Sequence, residues 1–349
     1  MKMIDKISEQ DLTKYNTCAK ICGLVIKEIF SKILSSEMLS VTSLCEYGDT
    51  RIKEECDKIY KRETVKGSAF ATSISLNDCV GYYIYEGGNE KDTSEYNTIK
   101  LGDVVKVELG VNISGCIANL GETMVYTNDK SQENVNKKYL DLLNELQTDV
   151  QKLLIPGNTN DDVKIIIESK CTQIGCFPVE NTTSYQHLDG QLQTLESKYM
   201  ITNYQKYYDD DNNLAVLQNI CFEFEQGDVY TVSLVLVPND IEQNDETTHN
   251  YIEKHDPHIY RFNDQYYGLR LKMSRDFFSK AKSEHNTNAF NSLPYKNNSR
   301  HRVGIKECYE NGILENYPVL YTKDKYPVFH KKFTVIVGDN KCVTLKYNV

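Results

Sequence analysis

Between Val105 and Thr127 the chain reads VKVELGVNISGCIANLGETMVYT, two strand-like arms joined by a turn around Ser114-Gly115. Glu108 stands on the first arm and Asn119 on the second, eleven residues apart. Two carboxylates at that spacing across a hairpin face one point and hold a divalent metal between them. Here one of the pair is a glutamate and the other a neutral amide. The stretch is either a metal site or what is left of one, and the rest of the chain has to decide.

A chain of 349 residues with 40% hydrophobic and 26% charged residues is long enough for a substantial core and ordinary for a globular protein. No window approaches the length of apolar sequence a membrane span needs, and the opening MKMIDKISEQDLTKY has no apolar segment of the secretory kind. Eleven cysteines without such a segment point to reduced thiols in the cytosol or nucleus. Cys18/Cys22 and Cys171/Cys176 are the close pairs; neither has zinc-ribbon spacing, and both read as buried or incidental thiols. The net charge of −10 is unevenly spread. From Ile201 to Thr248 acidic residues stand against Lys206 alone, whereas Arg261 to Arg302 is basic, so the local field and not the total decides what the surface attracts.

Ile21, Val25, Ile29, Ile33 and Leu34 recur at helical spacing, predicting a helix over about 11–36; Ile52, Cys56 and Ile59 predict another over about 49–62. SAFATSISL, residues 68–76, reads as a strand before the opening hairpin. Val135, Tyr139, Leu142, Leu146, Val150 and Leu153 predict a long helix stopped at Pro156-Gly157, and Asn160 or Asp161 is expected to cap the next. DVYTVSLVLV is a buried strand, 239–258 a polar loop, 259–318 mostly helical, and KFTVIV with CVTLKY a closing hairpin. Helix pair, strands, helix pair, strands suggests an α+β architecture in two halves. His249, His255 and His258 lack regular ligand spacing and are expected to be solvated loop residues.

The stretches Thr13-Lys14-Tyr15, SLCEYGD at 43–49, GSAFATSISLNDCV at 67–80, KVELGVNISGCIAN at 106–119, LLIPGNTNDDV at 153–163, YGLRLKMSRDFFSK at 267–280 and FTVIV at 333–337 run through nearly the whole chain. In them the sequence resembles the type 2 methionine aminopeptidases, and more closely their non-peptidase relatives, the proliferation-associated (ErbB-receptor-binding) proteins. The resemblance implies an α+β pita-bread fold of the creatinase/methionine aminopeptidase kind. Its two pseudo-symmetric halves, each a helix pair plus sheet, would form one domain over 1–349, with a basic helical insertion of the type 2 kind at about 255–318.

In the peptidases two metals are held by two aspartates on a hairpin, a histidine and two glutamates from later strands. Carried over position by position, the aspartates fall on Glu108 and Asn119, and the histidine near Asn181, with His187 the nearest imidazole but out of register. The glutamates fall on Ser233 and Lys332, and a substrate-side histidine on Tyr82. One carboxylate survives, and Lys332 brings a cation where a metal would sit. The resemblance therefore implies a Lys332–Glu108 pair in place of the metal, no catalytic residues, no metal and no cofactor: a pseudoenzyme.

What remains is binding. Arg270, Lys272, Arg275, Lys280, Lys282, Lys296, Arg300 and Arg302 are interleaved with Tyr266, Tyr267, Phe277, Phe278 and Tyr295, and cations beside exposed aromatics suit RNA phosphates and bases. The alternative is that Phe277 and Phe278 are core and the charges a solvated face. Lys14, Lys53, Lys61, Arg62 and Lys66 make a second, mixed patch. The resemblance implies docking of these residues on the large ribosomal subunit, on rRNA and ribosomal proteins near the polypeptide exit tunnel, by a monomer with no membrane role. The expected site of action is the cytoplasm, with the nucleus or nucleolus as a further compartment. Longer members of the family carry a lysine-rich tail; this chain ends at KYNV, so tail-borne functions are not expected. Two alternatives stand beside this reading, an active metal-dependent methionine aminopeptidase and a protein–protein adaptor in signalling or transcription.

Overall fold

The computed structural model describes residues 7–85, 94–180, 182–194, 196–201, 206–208, 214–216, 221–238, 251–263, 265 and 267–349. The first half consists of α1 (Glu9–Leu34), α2 (Val41–Lys58), β1 (Lys66–Leu76), the one-turn α3 (Ser94–Asn97), β2 (Val104–Ile113) and β3 (Cys116–Val125). The second opens with α4 (Lys130–Leu153), α5 (Asn160–Ile174) and β4 (Cys176–Pro178). It continues with β5 (Thr183–His187), β6 (Tyr199–Ile201), β7 (Lys206–Tyr208), β8 (Leu214–Val216) and β9 (Val229–Pro238). After β10 (Tyr251–Glu253) come β11 (Ile259–Phe262), α6 (Lys272–His285), β12 (Phe290–Asn291), α7 (Leu293–Lys296), α8 (Ser299–Glu310) and β13 (Leu314–Asn316). The chain closes with β14 (Leu320–Thr322), β15 (Phe329–Ile336) and β16 (Val343–Thr344).

The opening hairpin forms as its residues dictate. β2 and β3 pair antiparallel from Val104↔Val125 to Ile113↔Cys116, and the two turn residues Ser114 and Gly115 both have positive φ, 54° and 84°. A two-residue turn with both φ positive matches the twist of the flanking strands. Along β2 the residues Val105, Val107, Leu109 and Val111 enter the helix-side core, which leaves Lys106, Glu108 and Asn112 on the other face.

The sheet runs β1-β2-β3-β15-β9-β5-β6, with β16 beside β15 and β4 beside β9. β3 and β15 are the seam between halves, registered at Lys332↔Gly121. A Cβ on Gly121 would sit 2.8 Å from His330 Cε1 and 3.0 Å from Lys332 Cβ, so glycine is what lets the halves meet. Buried residues of α1, α2, α4 and α5 share one apolar core on one face of this sheet.

Several boundaries differ from the sequence reading. α2 begins at Val41 behind the Ser40 cap, not near residue 49, because its first two turns bury Val41, Leu44, Cys45 and Gly48 against β1. Thr159, not Asn160 or Asp161, caps α5: its hydroxyl accepts the Asp162 N–H while the Asp162 carboxylate accepts the Thr159 N–H. Of the expected loop 239–258, residues 239–250 lie outside the described residues, but β10 pairs with β14. The segment 259–318 is not mostly helical. Its strands β12-β11-β13 form a three-stranded sheet that packs with α6 and α8 around Phe262, Phe277, Phe290 and Ile305. Strands of two to four residues are too short to show alternation.

Helix α2 approaches β1 most closely at Gly48, where an added Cβ would meet Thr72 Oγ1 at 2.6 Å and Cγ2 at 2.7 Å. Gly48→Ala is expected to destabilise the protein by about 1–3 kcal/mol through overpacking. Thr72→Ala in the same chain should recover part of that loss, as read from the urea midpoints of the single and double variants.

Candidate functional site

The sheet face turned away from the helices gathers the residues that the sequence singled out. β2 presents Glu108, β3 Asn119, β9 Ser233 and β15 Lys332, and Ser233 and Lys332 are register partners. Lys332 Nζ lies 2.5 Å from Glu108 Oε1, with both side chains almost wholly buried. The ammonium also sits 5.1 Å from the ring centroid of Tyr82 and 5.7 Å from that of Phe70, two faces that favour a cation. Asn119 Nδ2 donates to Glu108 Oε1 at 3.5 Å and to the Tyr185 hydroxyl at 3.1 Å. The backbone N–H of Ser233 donates to Ser184 Oγ, while its own hydroxyl finds no partner among the described residues. Asn181 lies outside the described residues.

Tyr82 adopts a left-handed φ of 63°, a strained conformation for a bulky residue, and its ring packs at a tilt against those of Phe70 and Tyr317, with centroids 5.8 and 5.1 Å away. That packing holds its ring over Lys332. Burial first, and the Glu108 charge second, push its phenol pKa far up, so the wall of the site is neutral.

The structure adds residues that the sequence reading left aside. His187 is buried, and its Nε2 is 2.7 Å from Thr231 Oγ1, which in turn lies 3.2 Å from Thr334 Oγ1. Thr334 Oγ1 then accepts the Asn119 N–H at 2.9 Å. A chain of hydrogen bonds thus links the His187 imidazole to Asn119. Period-two alternation in HKKFTV and YTVSLV carries that signal once the strands are paired. Burial lowers His187 to about 3 and His330 well below its usual range, so both imidazoles are neutral. His255 and His258 are not solvated loop residues: His255 Nδ1 is 2.8 Å from the Tyr321 hydroxyl, and His258 is buried with Nδ1 2.9 Å from Lys296 Nζ.

The cationic candidates divide by exposure. Arg270, Lys272, Arg275, Lys280, Arg300 and Arg302 are exposed on α6, α8 and the approach to α6. Lys282 lies over the Phe262 ring at 5.2 Å, and Lys296 is held by His258. Phe277 and Tyr295 are core, with Tyr267 and Phe278 packed against the same cluster, so the expected aromatic stacking platform is absent among the described residues. The alternative holds for Phe277 and Phe278, and Tyr266 lies outside the described residues. The second patch is partly spoken for: Lys14 pairs with Glu63 at 3.0 Å, Lys53 with Asp57 at 2.7 Å, and Lys66 Nζ donates to the Ile59 carbonyl. Lys61 and Arg62 are exposed.

Comparison with known proteins fits this geometry. The model of metallopeptidase family M24 matches residues 13–272. The chain belongs to metallopeptidase family M24. Proliferation-associated protein A of Dictyostelium discoideum is 28% identical over 346 residues, spanning 95% of this chain and 82% of that protein. A thermophilic Arx1 structure superposes with a TM-score of 0.77 at 20% identity, over 98% of this chain and 92% of that one. Methionine aminopeptidase from Thermotoga maritima superposes with a TM-score of 0.57 at 13% identity, over 99% and 100%. The M24 chain therefore has the pita-bread fold, mixed helix and sheet, and the resemblance to proliferation-associated proteins holds.

The family name implies a metal, and the residues present do not fit one. Near Glu108 the donor set is one carboxylate, the Asn119 carbonyl and a serine hydroxyl, beside a buried ammonium. Among the described residues no group of three or more His, Cys, Asp and Glu is placed to hold a metal ion. A divalent ion within about 4 Å of Lys332 Nζ would be repelled by roughly 8 kcal/mol at an effective dielectric of about 20, and the single carboxylate at a similar distance would only offset that. The ammonium wins the site.

Removing one partner of a buried pair leaves a bare charge, whereas removing both need not. Lys332→Met is expected to cost about 3–5 kcal/mol. The Lys332→Met/Glu108→Gln double variant should recover most of it, checked by urea unfolding. A second outcome concerns pH. His187 and His258, both lowered to about 3 by burial, and His330 are neutral in the fold but titrate near the ordinary value when unfolded. Their contribution is complete above about pH 6.5 and is lost as pH falls toward 3, because the unfolded chain binds the protons. Stability should drop by up to about 4 kcal/mol per pH unit between pH 6 and 5, and His187→Gln should reduce that slope by about a third.

Proposed function

We propose that this M24 chain is catalytically inactive and binds the large ribosomal subunit, contacting rRNA and ribosomal proteins near the polypeptide exit tunnel. The buried Lys332–Glu108 pair carries the first part of the reading, since it places an ammonium against the one carboxylate that remains where the peptidases hold metal. Glu108, Asn119, Ser233 and Lys332 then occupy former ligand positions, with Tyr82 at a former substrate-side one, and no cofactor is needed. Supporting the second part are the exposed Arg270, Lys272, Arg275, Lys280, Arg300 and Arg302 on the 255–318 insertion, and the similarity to a proliferation-associated protein over most of both chains. Lys61 and Arg62 extend the cationic set, whereas Lys14, Lys53, Lys66, Lys282 and Lys296 act through their ion pairs or backbone and ring contacts. With Phe277 and Tyr295 in the core and Tyr267 and Phe278 packed against it, recognition rests on phosphates and shape more than on base stacking. Bound near the tunnel as a monomer, the protein would modulate translation, nascent-chain access or subunit maturation, in the cytoplasm or in the nucleus and nucleolus.

Co-sedimentation of the purified protein with large subunits tests this directly. Six phosphate contacts would make log K fall against log salt with a slope of about 4 to 5, and Arg270→Glu/Lys272→Glu/Arg275→Glu should roughly halve it. Absence of comigration at low salt would exclude ribosome docking. Release of N-terminal methionine from peptides in the presence of Mn(II) or Co(II) would overturn inactivity instead.

A further inference from the structure

Helix α5 ends at Gly175, whose φ of 76° lies in the left-handed region and reverses the chain, so that β4 begins at once with Cys176. The reversal brings Cys176 back over the last turn of the helix. The Cys176 S–H donates to the carbonyl oxygen of Cys171 at 3.5 Å, which sets the two cysteines side by side across the turn. Both are buried, yet residues 172–174 and 177 around them are exposed. The pair lies in the apolar core where α5 ends, and a helix end is the part that opens most readily.

The two sulfurs are chemically unlike. The neighbouring thiol of Cys171 and the charge of Lys138 hold the Cys176 thiol below its usual value against the effect of burial, and the same neighbour pushes Cys171 up. A mixed disulfide formed on Cys176 has Cys171 across the turn to resolve it. The other close pair differs. Cys18 and Cys22 donate to separate carbonyls, those of Cys116 at 3.1 Å and Ala118 at 3.4 Å, and are sealed between α1 and β3.

We infer that Cys171 and Cys176 are a redox modification site, a dithiol that closes to an intramolecular disulfide when a small disulfide such as oxidised glutathione reaches it. The Cys176 thiolate attacks one sulfur of the oxidant, the S–S bond breaks, and one glutathione thiolate leaves and takes up the proton. Cys171 then attacks the Cys176 sulfur and displaces the second glutathione as a thiol. Two protein thiols are oxidised and one disulfide is reduced to two thiols. The bond fastens the end of α5 to β4, which pairs with β9 through Cys176↔Pro238, and so to the sheet that carries Ser233.

The full-length protein is incubated with oxidised glutathione, denatured in an alkylating agent and digested at lysine and arginine. Cys221, which is exposed, reports that the oxidant is active. The expected result is a peptide starting at Cys171 that has lost two hydrogens, resists alkylation at both cysteines and regains both sites after dithiothreitol. Cys171→Ser should stop the reaction at a glutathione adduct on Cys176, more than tenfold longer-lived than in the parent. Complete conversion of Cys221 with Cys171 and Cys176 both still alkylated would overturn the inference, and this parent-chain readout does not depend on the variant folding. Cross-linking of either cysteine to a different partner would overturn it as well.

Discussion

One buried ion pair organises the molecule's functional face. Lys332 reaches Glu108 because β15 lies beside β3, and that adjacency is what joins the two halves of the sheet. The register Lys332↔Gly121 leaves no room for a side chain on β3, so the glycine, the lysine and the seam are one constraint. Around the pair the protein supplies neutral groups: Asn119, Tyr185, Tyr82, and imidazoles kept uncharged by burial. A site whose single anion is matched internally has no charge left over to attract a metal.

The hairpin, the two helix pairs and the strand order are those of the M24 family, and each is stabilised by apolar burial that does not depend on the ligand positions. Lys332 puts a positive charge at the centre of the sheet face, matched by Glu108. On the outer surface, short strands and core aromatic rings hold α6 and α8 so that Lys272, Arg275, Arg300 and Arg302 are exposed.

Much of this was legible in the chain itself. The hairpin was readable because Ser114-Gly115 fits a two-residue turn, and the long helices because Ile21 to Ile33 and Tyr139 to Leu153 keep helical spacing. The Lys332–Glu108 contact followed from family resemblance, since 224 residues separate the partners and no local pattern joins them. What stayed hidden depended on tertiary packing. Gly48 is a close-approach residue inside α2, Phe277 and Tyr295 are core rather than platform, and His187 enters the network only through the pairing of β5 with β9.

The most direct test of the central claim is a crystal structure of the protein grown in millimolar Mn(II), with anomalous scattering collected for the metal. The account predicts no anomalous peak beside Glu108 and a Lys332 ammonium in contact with its carboxylate. A manganese peak bridging Glu108 and Asn119, with Lys332 swung away, would contradict it.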